Sequence, residues 1–200
     1  MSQPEFLPLG RRQWLKTAVA TTAGSSLMAT HAHAALSSAP AQPAVRVVFD
    51  RRLTSASAFA ANAGAMGLRS AGIDGDVTQL WFQDLAPVAS RQGLALLGHT
   101  ALMPKVCLEQ MAADHWHAVR VSIEHVPGTG GMEHRITAPP AAIAGLQRWF
   151  ASAPDWRSGL ATTLFAALET GLRGRQVHAV VRSAGQTIDA GSVTWLLARA

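Results

Sequence analysis

Short apolar runs alternate with stretches of helical periodicity along most of the chain. The runs at residues 45–49 and 94–97 are nearly continuous, which is typical of strands buried on both faces. Between them, helical spacing follows Thr54 or Ser55, either of which can cap a first turn. A second helix is predicted after Asp76, which can cap it, and this helix is expected to end shortly before Pro87.

The next segment combines turn residues with a further helix. Gly98, His99 and Thr100 predict a turn after the apolar run, and a helix follows at about 101–114. Within that helix, Cys107 is expected on the buried stripe, as an inert thiol.

The remaining strands are predicted from alternation. Apolar and polar residues alternate over 119–123, which indicates a strand with one solvated face near an edge of the sheet. Three glycines and a proline at 126–132 then predict a hairpin. A register in which paired residue numbers sum to 259 places His125 opposite His134. Further elements are expected as a strand at 69–73, helices at 140–151 and 156–172, and strands at 177–182 and 193–198.

This order of elements predicts the fold class. Strand, helix, strand, helix, strand is the order of right-handed crossovers that build a parallel sheet. We therefore expect a mixed, mainly parallel, doubly wound α/β sheet, with helices on both faces and antiparallel strands at the C-terminal side. A chain of 200 residues, 48% of them hydrophobic and 14% charged, is long enough for one well-packed core, which we place at 45–200.

Composition excludes several classes of protein. The net charge of +5 comes from 17 Lys and Arg against 12 Asp and Glu, and no basic run exceeds two residues. A surface that follows nucleic-acid phosphates needs clustered charge, so no nucleic-acid partner is expected. The single cysteine permits no internal disulfide, four-cysteine zinc site or iron–sulfur site.

The N-terminal segment carries the most specific pattern in the chain. Arg11 and Arg12 are followed, after two further residues, by Leu15 and Lys16, and a weakly apolar stretch of small residues covers 17–28. This segment resembles a twin-arginine (Tat) signal peptide. The family pattern has a hydroxyl residue before the two arginines and a phenylalanine after them, whereas this chain has Gly10 and Trp14 at those places.

The resemblance implies a route and a cleavage site. Ala32 and Ala34 form the small-x-small pattern of a signal-peptidase site, so 1–34 is expected to be removed and 35–44 to remain as a disordered tether. The apolar stretch is too short to anchor the chain stably in a bilayer. The resemblance implies the Tat translocase and signal peptidase as partners, the bacterial periplasm as destination, and transport in the folded state, often with a cofactor or with a redox partner that carries one.

Polar side chains at the predicted strand ends form the candidate site. In an open parallel sheet, ligands bind where the carboxyl ends of the strands open into a crevice. The residues that this rule collects are Asp50, Arg51, Arg52, Asp74, Asp76, His99, Thr100, Glu124, His125, Glu133 and His134.

Three interpretations of this set stay open. In the first, Arg51 or Arg52, with the helix start near Thr100 and with Asp76 nearby, holds a carboxylate or phosphate. In the second, Asp50, His99 and His125 act as acid and base, or His125 and His134 bind a divalent metal.

In the third interpretation, Asp76 and Thr100 are helix caps and the histidines are satisfied by hydrogen bonds within the fold. A second histidine pair, His115 and His117, is expected to close the third helix, with Trp116 packed inward.

Two functions follow from these observations. No cofactor fingerprint is evident in the mature sequence, which favours a non-catalytic accessory or ligand-binding protein, associated with a redox enzyme or with a small ligand. The alternative is a small hydrolase or lyase that uses Asp50, His99 and His125, with or without a divalent metal.

Overall fold

The fold is a seven-stranded sheet with helices packed against it. In this computed structural model, the structure describes residues 43–152, 156–170, 172–184 and 189–200. The leader predicted at 1–34, with Arg11, Arg12, Leu15, Lys16, Ala32 and Ala34, lies outside these residues, as does most of the predicted tether. None of the described helices is long and apolar enough to cross a membrane.

The strands are β1 (Ala44–Asp50), β2 (Arg69–Ile73), β3 (Leu94–Ala101), β4 (His117–Gly128), β5 (Gly131–Ala138), β6 (Val177–Ala184) and β7 (Ser192–Arg199). The helices are α1 (Ala56–Ala65), α2 (Thr78–Leu80), α3 (Ala86–Gln92), α4 (Leu102–Ala113), α5 (Pro140–Ser152) and α6 (Leu160–Glu169). A π-helical turn (Trp81–Leu85) joins α2 to α3, and a 3₁₀ turn (Trp156–Gly159) precedes α6.

The sheet is mixed. Its order is β2-β1-β3-β7-β4-β5-β6. The pairings of β1 with β2 and β3 are parallel, whereas the four pairings that involve β7, β4, β5 and β6 are antiparallel. The predicted mixed α/β sheet is therefore confirmed, but its mainly parallel, doubly wound character is not.

Two apolar clusters lie on opposite faces of the sheet, because alternate residues of a strand point to opposite sides. Val47 and Leu97 belong to the first cluster, with side chains from α1, α5 and α6. Val48 and Leu96 belong to the second, with side chains from the helical segment around α3 and from α4.

Several local predictions are confirmed. Strand β2 occupies 69–73 as expected, and Asp76 accepts a hydrogen bond from the amide of Thr78 at 2.8 Å, which caps the start of α2. The hairpin of β4 and β5 pairs Ile123 with Ile136, so its residue numbers sum to 259.

The predicted turn at 98–100 is wrong, because β3 continues through these residues to Ala101. Gly98 is required there for packing: a Cβ at this position would lie 2.0 Å from the indole ring of Trp195. Thr100 is fully buried, and the N-cap residue of α4 is Ala101, so Thr100 is not a helix cap.

The helix after Asp76 does not end before Pro87. Helical structure continues from α2 through the π-helical turn into α3, and Pro87 lies in the first turn of α3. A proline in a first turn removes an amide that has no partner inside that turn, which explains why it is tolerated there.

Three predictions about exposure are also wrong. Strand β4 lies between β7 and β5 instead of near an edge, so the alternation reflects which face is buried more deeply. Cys107 is exposed on α4. Trp116 is 75% exposed and adopts a left-handed backbone conformation with φ of 60°, so it does not pack inward.

Candidate functional site

The polar centre of the molecule is a row of side chains on one face of the sheet. Three of its members are the predicted residues His99, His125 and His134, which are at most 1% exposed. The sheet brings them together because β3, β7, β4 and β5 are neighbours and each contributes a side chain to the face that packs on α1 and α5. We call the whole set the histidine row: Asp189, Ser55, His99, Thr194, His125, His134 and Ser183.

The histidine row is continuous through hydrogen bonds. Ser55 Oγ lies 2.9 Å from Asp189 Oδ2 and 2.7 Å from His99 Nε2. On the other side of the His99 ring, Nδ1 lies 2.7 Å from Thr194 Oγ1. These distances are those of strong hydrogen bonds between neutral groups, or to a carboxylate at the Asp189 end.

The second half of the row has the same form. Thr194 Oγ1 lies 2.7 Å from His125 Nε2, and the Nδ1 atoms of His125 and His134 are 2.9 Å apart. His134 Nε2 lies 2.8 Å from Ser183 Oγ. The row therefore passes from β3 to β6 across five neighbouring strands, a span of about 19 Å at roughly 4.8 Å a strand.

Aromatic rings cover the row from the helix side. Phe150 of α5 stacks on His134, with ring centroids 4.0 Å apart and planes inclined by 15°. Phe59 of α1 lies against His99 at a centroid distance of 5.6 Å. These contacts place the imidazoles in an apolar layer, where a positive charge is poorly solvated.

Burial keeps the imidazoles neutral. It lowers the pKa of His99 to about 4, against the opposing attraction of the carboxylates of Asp189 and Asp50. Burial also lowers the pKa of His134 to about 4. The pKa of His125 is held well below its usual value, first by burial and then by repulsion from the two neighbouring histidines.

Asp189 is the charged end of the row. Its partial burial would raise the pKa, but hydrogen bonds from the amide and hydroxyl of Ser55 and from Thr54 outweigh that effect, and the pKa is lowered. Asp189 is therefore a carboxylate at neutral pH, half-exposed in the turn before β7, beside the exposed Thr54.

The proposed acid and base residues do not form one site. Asp50 shares a sheet face with Val48 of the second cluster, whereas His99 and His125 lie on the face of the first cluster. The carboxylate of Asp50 is bonded instead by Arg52, with Nη2 to Oδ2 at 2.7 Å and Nε to Oδ1 at 2.9 Å. This bidentate bond lowers the pKa of Asp50.

The predicted anion-binding residues are bonded to other residues of the fold. Arg51 forms an exposed ion pair with Asp74 at 2.9 Å, and Arg52 is held by Asp50. Thr100 donates to the carbonyl of Ala101 and accepts from the indole of Trp195. Each predicted anion ligand thus has a partner within the fold, and Asp76 is a cap.

The two histidines proposed as metal ligands are hydrogen-bonded directly to one another. Two imidazole ligands on one tetrahedral zinc ion have their nitrogens roughly 3.3 Å apart, given Zn–N bonds of about 2.05 Å. The Nδ1 atoms of His125 and His134 are closer, at 2.9 Å, which is a direct hydrogen bond. Within the described ranges, no group of three or more His, Cys, Asp or Glu could hold a metal ion.

In the second histidine pair, His117 bonds the backbone, whereas the ring of His115 lies 3.3 Å from Ser90 Oγ. His117 is buried, its Nδ1 bonds to the carbonyl of His115 at 2.7 Å, and its Nε2 accepts from the amide of Leu94 at 3.3 Å. Burial lowers the pKa of His117. This ring fastens the start of β4 to the start of β3.

Four members of the row were not predicted from the sequence: Asp189, Ser55, Thr194 and Ser183. Ser55 was expected to cap α1 and does occupy the cap position, but its side chain makes no capping bond and joins the row instead. Thr194 lies within an apolar run. A single hydroxyl residue inside such a buried strand is the sequence signal that could have identified it.

A surface cavity of about 490 Å³ adjoins the end of the row. It is lined by residues 128–133 of the β4–β5 hairpin and by 182–184 of β6, and these include Ser183. At its rim, Glu133 bonds to Arg135 at 2.9 Å and lies 3.7 Å from Arg182. Arg135 also lies opposite Glu124 in the pairing of β4 with β5, so Arg182 is the arginine that lines the cavity itself.

The fold and the row define an α/β protein whose polar centre is a buried, hydrogen-bonded histidine row. Comparison with protein-family models, with curated proteins and with solved structures finds no match to this chain.

Proposed function

We propose that this protein is a non-catalytic accessory or ligand-binding protein, exported in the folded state to the bacterial periplasm by the Tat route. One observation carries the non-catalytic part: His99 and His125, the histidines that the hydrolase or lyase would use, are at most 1% exposed and hydrogen-bonded within the fold. A substrate cannot reach a general base in that position without displacing the helices above it.

The proposed ligand site is the cavity beside the β4–β5 hairpin. Its volume suits a small molecule. Arg182 lines the cavity, is 84% exposed and lies 3.7 Å from Glu133, so its guanidinium can bond a ligand with a carboxylate or another anionic group. The pKa of Glu133 is lowered, chiefly by the bond from Arg135, so this side chain is charged at neutral pH.

The export route suggests the partner. Proteins that carry twin-arginine leaders cross the membrane folded and often act with redox cofactors, so the partner class we propose is a periplasmic redox enzyme subunit. The leader pattern at Arg11 and Arg12 supports this part of the proposal.

Native mass spectrometry of the protein purified from the periplasm tests the ligand and partner. We expect a stoichiometric small anion or a defined partner subunit on the wild-type protein. Arg182→Ala should lose the small anion, whereas Arg173→Ala, which removes an exposed arginine outside the cavity, should keep it. A clean monomer without ligand or partner would contradict the proposal.

The same preparation tests the alternative function, a small hydrolase or lyase. Elemental analysis reports any bound divalent metal, and a panel of small esters and amides reports hydrolysis. Turnover that disappears in His99→Gln while the melting temperature stays unchanged would establish the hydrolase and overturn the accessory function.

Export is tested separately with the full chain. Replacement of Arg11 and Arg12 by lysine should retain the protein in the cytoplasm, as measured by cell fractionation with a cytoplasmic and a periplasmic marker. Unchanged export of this variant would remove the Tat assignment.

A further inference from the structure

The hydrogen bonds of the histidine row all point in one direction. Ser55 donates its hydroxyl proton to the Asp189 carboxylate, which can only accept. Ser55 Oγ must therefore accept from His99 Nε2, 2.7 Å away, so this nitrogen carries the proton of a neutral imidazole. His99 Nδ1 is then an acceptor, and Thr194 donates to it.

The same reasoning continues to the far end. The Thr194 hydroxyl donates its single proton to His99, so its oxygen can only accept, and His125 Nε2 donates to Thr194 Oγ1. His125 Nδ1 is then an acceptor, and His134 Nδ1 donates to it. His134 Nε2 in turn accepts the hydroxyl proton of Ser183. One carboxylate thus sets the tautomer of three histidines.

Both ends of this aligned row are close to solvent. Asp189 is half-exposed in the turn before β7, and Ser183, 8% exposed, borders the cavity of about 490 Å³. Between them, every donor–acceptor distance along the row lies between 2.7 and 2.9 Å. An unbroken row of short hydrogen bonds with one polarity and two accessible ends is the arrangement that proton transfer requires.

We propose that the histidine row is a proton relay between the cavity beside Ser183 and the carboxylate of Asp189. In one passage, an acidic group or hydronium ion in the cavity gives a proton to Ser183 Oγ, and each group of the row passes its own proton to the next. Ser55 gives its proton to Asp189, whose carboxylate becomes a carboxylic acid. Only O–H and N–H bonds form and break, and no electrons are transferred.

The passage reverses the tautomer of every histidine in the row. Before it, His99 and His125 are protonated on Nε2 and His134 on Nδ1; afterwards His99 and His125 carry the proton on Nδ1 and His134 on Nε2. The relay goes beyond the proposed function, because it operates on protons whatever ligand occupies the cavity, and it is tested on the purified chain alone.

NMR of the protein with ¹⁵N-labelled histidine tests the relay. Long-range ¹H–¹⁵N correlations identify the tautomers, and at neutral pH we expect Nε2–H, Nε2–H and Nδ1–H for His99, His125 and His134. The opposite set, or an imidazolium at any of the three, would overturn the proposal. This measurement needs no variant, so it stands even if a substitution in the core fails to fold.

Relaxation dispersion of the same ¹⁵N nuclei, recorded at the lowest pH at which the protein stays folded so that protonated Asp189 is populated, tests the transfer itself. A relay moves all three histidines together, so their resonances should fit one two-state process with a single rate and population. Thr194→Val, which removes the central hydroxyl, should abolish the shared process, whereas Thr194→Ser should keep it. Independent rates, no exchange, or an unchanged process in Thr194→Val would show that the row is only structural.

Discussion

Acid should destabilise this protein well above the pH at which its carboxylates titrate. Burial lowers the pKa of His99 and of His134 from 6.5 to about 4 in the folded state. On unfolding, each ring regains its ordinary affinity for a proton, so the unfolded chain binds more protons than the folded chain below pH 6.5. Stability is therefore present above that pH and is lost as the pH falls toward 4.

The size of the loss in stability follows from the pKa values in the unfolded and folded states. When the pH falls from 7 to 5, a histidine with a pKa of 6.5 in the unfolded state and about 4 in the folded state lowers the free energy of unfolding by about 2 kcal/mol. His99 and His134 together cost about 4 kcal/mol over this interval if they titrate independently, and His125 adds to the loss in the same direction. This is a large part of the roughly 5–15 kcal/mol that stabilises a typical domain.

Urea unfolding followed by circular dichroism at pH 7, 6 and 5 measures the effect. The pKa values of Asp50 and Asp189 are lowered from the ordinary aspartate value of 3.8, so the loss of their contribution to stability begins at lower pH. His134→Gln should reduce the slope of the unfolding free energy by up to about 1.4 kcal/mol per pH unit, the value of one proton. A free energy of unfolding that stays constant from pH 7 to pH 5 would refute the reasoning.

Further predictions concern packing and exposure. Gly98→Ala should destabilise the protein by about 1–3 kcal/mol in urea unfolding, because the added methyl group meets the Trp195 ring at 2.0 Å. Gly64→Ala, at an open position inside α1, should stabilise it by about 0.5–1 kcal/mol, and a loss there would show that the helix is under another constraint. Cys107 should react fully with a disulfide-exchange thiol reagent in the native protein, because it is exposed; protection until urea is added would contradict its position on α4.

Sequence reasoning succeeded where the deciding interactions are local. The cap of Asp76 on the amide of Thr78 involves residues two apart, and the hairpin register follows from the turn between β4 and β5. The position of His125 opposite His134 could therefore be predicted from the alternation and one pairing sum.

Prediction from sequence failed where the structure of a segment depends on residues that are distant in the chain. Gly98 and His99 have the composition of a turn, but β3 continues through them because β7, almost a hundred residues later, pairs with it and places Trp195 over Gly98. Strand β4 was expected near an edge, yet β7 covers its free side. A strand's neighbours depend on pairings that its own residues do not encode.

The sequence alone determined the apolar segments, their helical or extended type, the hairpin register and the presence of histidines near predicted strand ends. Only the tertiary structure decided that β7 inserts between β3 and β4. That insertion brings Thr194 between His99 and His125 and joins them into one buried row. The physical reason is that a periodic pattern specifies which side of a strand is buried, whereas the order of strands in a sheet depends on contacts between residues far apart in the chain.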